Sequence, residues 1–137
     1  MDTLRVLRRL MRACLDDERT LLREGKLVDA RRAVALERMA HQRDDFLVSL
    51  EALAAHRRPS TGTWSDLLRE AWRDLWVVLA GRNNGDAIAT CRQSNARMEA
   101  RYDVALRGPW SKNARRLLES QRAMIEGERT ELNQLQF

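Results

Sequence analysis

Apolar side chains recur at three- and four-residue steps from residue 4 to residue 22: Leu4, Leu7, Leu10, Met11, Cys14, Leu15, Leu21 and Leu22. Positions spaced this way share one face of a helix, so the pattern predicts an amphipathic helix over about residues 3–24, with Gly25 as its stop. A second stripe, Leu36, Met39, Ala40, Phe46, Leu47, Leu50 and Leu53, predicts a helix over about 28–56 that Asp29 can cap. It ends at "RRPSTG", residues 57–62, because Pro59 and Gly62 cannot continue it. A shorter helix is expected over 64–80, with Trp64, Leu67, Leu68, Ala71, Trp72, Leu75 and Leu79 on one face and Trp76 at its edge. Ile88, Cys91, Met98, Tyr102 and Ala105 mark a helix over about 86–107, with Asp86 as a candidate cap. Leu117, Leu118, Met124, Ile125, Leu132 and Leu135 mark a last one over about 109–135, opened by Pro109. No segment alternates as a strand does.

Four long helices with a shorter one between the second and third make two helical hairpins joined by a long crossover. That is the plan of an all-α, ferritin-like four-helix bundle, here one domain over residues 1–137. A composition of 44% hydrophobic and 33% charged residues, with 6 Gly and 2 Pro, favours a folded helical chain over disorder. No apolar run is long enough to span a membrane, and no signal-type apolar core stands at the amino terminus. The expected setting is the cytoplasm, where Cys14 and Cys91 remain reduced thiols on apolar stripes.

Each long stripe is interrupted by polar residues: Glu18, Arg43, Asn95, and then Gln121 with Glu128. Inward-pointing ionisable groups in such a bundle raise the question of a pair of metal ions. That chemistry requires a Glu from each of two helices and a Glu-x-x-His from each of the other two. The only histidines are His41 and His56, preceded three residues earlier by Arg38 and Leu53, so the motif is absent. Hairpin register, with turns near Leu27 and Gly108, sets Asn95 opposite Gln121 and Glu18 level with Glu37. The expectation is a hydrogen-bonded polar layer that fixes register, drawn from Glu18, Glu37, Arg43, Asn95, Gln121 and Glu128, with no metal and no cofactor. The alternative is a degenerate carboxylate site for iron or manganese made by Glu18, Glu37, His41 and Glu128. No nucleophile–base constellation and no Gly-rich phosphate loop is present, so the reading leans away from an enzyme and assigns no catalytic residue.

The net charge is +5 and the isoelectric point about 10.2. Of 25 basic residues only Lys26 and Lys112 are lysines; the rest are arginines on every helix, densest at Arg5, Arg8, Arg9 and Arg12. A chain-wide preference for arginine reads as a solvated basic surface in preference to a nucleic-acid footprint.

These residues resemble a bacterial ferritin-like four-helix-bundle family known only as a domain of unknown function. The similarity is carried by Cys14 to Glu18, by Arg43, Phe46 and Leu50, by Trp72 and Leu75, and by Cys91 with Tyr102, Ala105 and Leu106. Where that family has Gly-Glu, this chain has Ser94-Asn95, and Asp17 replaces a glycine. The resemblance implies the same bundle without an assigned activity. The expected role is a non-catalytic bundle that self-associates, as a homo-oligomer, or binds a protein partner. Trp64, Trp72 and Trp76 are its interface candidates, because Trp is favoured in contact surfaces.

Overall fold

A computed structural model describes residues 2–57 and 84–136. The helix expected over 64–80, and with it Trp64, Trp72 and Trp76, lies outside the described residues, as does His56 beyond its backbone. The described chain forms α1 (Thr3–Gly25), α2 (Ala30–Arg57), α3 (Asn84–Ala105) and α4 (Lys112–Leu135).

Asp2 caps α1 by accepting from the amides of Leu4 and Arg5, a donor-satisfying role that the sequence pattern did not single out. Asp29 does the same for α2: its Oδ1 accepts from the amide of Arg32 at 3.0 Å. Asp86 is not the cap of α3 but an acidic residue inside its first turn, where it still favours the positive helix end. The start of α4 differs from expectation. Pro109 does not open it; Ser111 does, by accepting from the amide of Ala114 at 3.2 Å. Residues 109–111 are instead held as a tight connection. Trp110 is buried and its indole Nε1 donates to the Ala105 carbonyl at 2.6 Å, while Arg115 donates to the carbonyls of Leu106 and Gly108 at 2.8 and 2.9 Å. The Ala105 carbonyl that ends α3 and those of Leu106 and Gly108 just beyond it are thus answered by side chains, with the Gly108 amide also donating to Ala105.

α1 packs on α2 and α3, and α4 packs on α3 and more loosely on α2, so α1 and α4 occupy opposite corners, as do α2 and α3. Cys14 meets Tyr102 and Asp17 meets Ser94, so α1 and α3 run antiparallel. α2 and α3 therefore run in the same direction, so the end of α2 and the start of α3 lie at opposite ends of the bundle. This is a four-helix bundle built from two hairpins. Among the described residues no helix is long and apolar enough to cross a membrane.

The core divides in two. Leu7, Leu10, Cys14, Leu47, Leu50, Met98, Tyr102 and Leu118 fill one end, together with Trp110. Leu21, Leu36, Met39, Ile88, Cys91, Leu132 and Leu135 fill the other. Among the described residues most of the predicted stripe positions are buried, with Leu4, Leu22, Leu53 and Leu117 half-buried. Met124 is exposed, at 44%. One residue back from Ile125, it has rotated off the centre of the α4 stripe, and its sulfur meets Gln42.

Candidate functional site

Between the two apolar halves lies a polar layer to which every helix contributes. Arg43 of α2 is its hub, at 1% exposure. Its Nε donates to Asp17 Oδ2 of α1 at 2.6 Å. Its Nη1 and Nη2 grip the two oxygens of Glu128 on α4 at 3.3 and 2.5 Å, and Nη2 also reaches Asn95 Oδ1 on α3 at 3.3 Å. The guanidinium lies over the ring of Phe46, 5.3 Å from its centroid. Ser94 donates to the second oxygen of Asp17, and Asn95 Nδ2 donates to the Ile125 carbonyl at 3.1 Å. Both ends of the Asn95 amide are therefore used, which is what a buried amide requires.

A neutral second chain lies one turn away. Tyr102 OH donates to Gln121 Oε1 at 2.5 Å, Gln121 Nε2 donates to the Phe46 carbonyl at 3.4 Å, and Cys14 Sγ stands 3.9 Å from the Tyr102 oxygen. Asn95 and Gln121 consequently do not pair with each other as expected. With α4 starting at Lys112, three residues later than expected, Asn95 falls level with Ile125 and Gln121 with Tyr102.

Two further expectations are corrected. Glu37 and His41 are exposed on α2, outside the layer. Height alone set Glu37 beside Glu18, but each helical residue turns about 100°, and Glu37 follows the fully buried Leu36 around and out of the core. Arg43 enters instead because helical side chains lean toward their own helix N-terminus, which lowers its long stem by about a turn. On α1 the layer takes Asp17, at 2% exposure, and leaves Glu18 half-buried. The four residues of the alternative metal set, Glu18, Glu37, His41 and Glu128, are thus not assembled, and Glu128 is committed to Arg43. Among the described residues no group of three or more His, Cys, Asp or Glu side chains is placed to hold a metal ion.

The electrostatics of the layer follow from burial. Burial pulls the Arg43 guanidinium toward the neutral form, but the charges of Asp17 and Glu128 more than offset this and its pKa rises. One cation between two carboxylates leaves the layer short by one positive charge. Burial therefore pushes the Glu128 carboxyl above its ordinary range, opposed by Arg43 and assisted by Asp17. The nearby thiol of Cys14 is pushed up by burial to about 12, so it is a packed sulfur and not a nucleophile.

A pH effect follows. With its pKa raised on folding, Glu128 favours the folded state most below the unfolded glutamate value, and that contribution fades as pH rises through the folded value. Glu128→Gln removes this loss. Urea unfolding at a series of pH values is expected to show the variant gaining on the parent chain between about pH 4 and neutrality. A gap that instead closes with rising pH would mean that the Arg43 pairing outweighs the burial of Glu128.

Fold and site together define an all-α bundle whose polar centre is closed by its own arginine. No family model, no curated protein and no solved structure matches the chain.

Proposed function

We propose that this chain is a non-catalytic, ferritin-like bundle that acts by self-association, with a protein partner as the other form of the same role. The carrying observation is Arg43. The position where facing carboxylates of a bundle would hold cations is taken by a guanidinium bonded to Asp17, Asn95 and Glu128. Both oxygens of each carboxylate already accept hydrogen bonds, and a guanidinium supplies the positive charge a metal would bring; the same pairing ties all four helices into one register, a structural use of buried charge. The parallel course of α2 and α3 on opposite corners supports the ferritin-like connectivity, and two buried free thiols fit a reducing cytoplasm. The amphipathic Trp64–Trp72–Trp76 stretch read from the sequence supplies the contact surface.

Native mass spectrometry over rising protein concentration tests the reading. The parent chain is expected to populate a dimer or larger assembly, and the triple variant Trp64→Ser/Trp72→Ser/Trp76→Ser to remain monomeric with unchanged helical circular dichroism. A parent chain that stays monomeric at the highest concentration overturns the self-association. Stoichiometric iron or manganese in protein purified without chelators overturns the non-metal scaffold.

A further inference from the structure

In the sequence the arginines are scattered; in the fold a group of them converges. Positions 5, 9, 12, 16, 19 and 23 are spaced four, three, four, three and four residues apart, so they line one face of α1. All but Asp16 are arginines. The stripe runs about 27 Å at the usual helical rise, and it faces away from the buried Leu7, Leu10, Cys14 and Leu21 of the same helix. α3 packs beside α1 and extends the face with Arg97 and Arg101. The geometry is reported by Asp16, whose carboxylate feels Arg12 and Arg19 from its own helix and Arg101 and Arg97 from α3.

A second observation separates this face from the rest of the surface. Arg5, Arg8, Arg9, Arg12, Arg97 and Arg101 are all exposed, and among the described residues none has a carboxylate within 4.0 Å. Elsewhere several arginines are answered, Arg38 by Glu131, Arg122 by Asp103 and Glu126, Arg129 by Glu99, while among the described residues Arg31 and Arg116 are not and lie outside this run on α2 and α4. The outer side of α2 is mixed, with Glu37 and Asp45 alongside Arg31 and Arg38. The positive excess of the chain thus stands toward one side.

We propose that the α1–α3 face binds the phosphate backbone of nucleic acid, without reading base sequence. Guanidinium groups match phosphate oxygens two bonds at a time, and a row of them on a straight helix presents successive contacts to a regularly charged strand. A lipid surface fits less well. A helix that lies on a membrane inserts an apolar face, and the apolar face of α1 is consumed by the core. This binding goes beyond self-association through the tryptophan stretch and stands or falls separately from it.

The test is fluorescence anisotropy with a labelled, mixed-sequence DNA duplex, using the full chain at several salt concentrations. Arg5→Gln/Arg9→Gln/Arg12→Gln, at exposed positions, is expected to weaken binding about tenfold or more at low salt and to flatten the salt slope by about 2–3. Arg97→Gln/Arg101→Gln is expected to weaken it in the same way. Arg31→Gln/Arg116→Gln, exposed on α2 and α4, is expected to change it by less than about twofold. Equal weakening by that control, no binding at low salt, or tighter binding to phosphatidylglycerol vesicles than to the duplex each overturns the proposal.

Discussion

Arg43→Met is expected to cost about 3–5 kcal/mol, a large share of the about 5–15 kcal/mol that ordinarily holds a domain folded, because it strands Asp17 and Glu128 as uncompensated charges in the core. Methionine preserves most of the stem, so little of the loss comes from a void. The informative comparison is Arg43→Met/Asp17→Asn/Glu128→Gln, which removes the charges together. Replacing a whole buried ion set is often neutral or better, so this triple variant is expected to recover most of the loss. Urea midpoints of the single and triple variants decide it. If the triple variant is no more stable than Arg43→Met alone, the cost lies in lost packing over Phe46 and not in stranded charge.

The second large effect belongs to the connection between α3 and α4. Trp110→Ala is expected to cost about 3–5 kcal/mol, the range for emptying a buried aromatic site. Trp110→Phe keeps most of the apolar surface and forfeits the indole bond to Ala105, at about 1 kcal/mol net, since that carbonyl keeps the Gly108 amide as a donor. Equilibrium unfolding of both variants separates the two contributions. Equal costs would show that the hydrogen bond, and not the ring, anchors this end of the bundle.

The four long helices and their directions were legible because each stripe keeps its spacing over several turns, and periodicity survives small errors of boundary. The residues Arg43, Asn95, Gln121 and Glu128 were legible as interruptions of those stripes, and all four are buried. Their pairing was not. Register between antiparallel helices depends on where the connection ends, and the three residues held by Trp110 and Arg115 moved α4 relative to α3 by almost a turn. Asp17 and Ser94 were overlooked, although a signal exists: Leu10, Cys14, Asp17 and Leu21 form one ridge, as do Cys91, Ser94 and Met98. On α1 that ridge competes with Glu18, equally well spaced, and only the neighbouring helix decides between them. Glu37 shares the height of the layer but not its angle, standing about 100° around α2 from the buried Leu36.

The two buried sulfurs make the protein its own gauge of opening. Cys14 sits in one apolar half and Cys91 in the other, and burial raises both thiols far from the reactive range. A small disulfide reagent can capture either only in molecules that have transiently exposed it, so each labelling rate counts excursions of its own half. Similar opening free energies at both positions would show the halves parting as a single unit across the Arg43 layer; unequal ones would show which end gives way first.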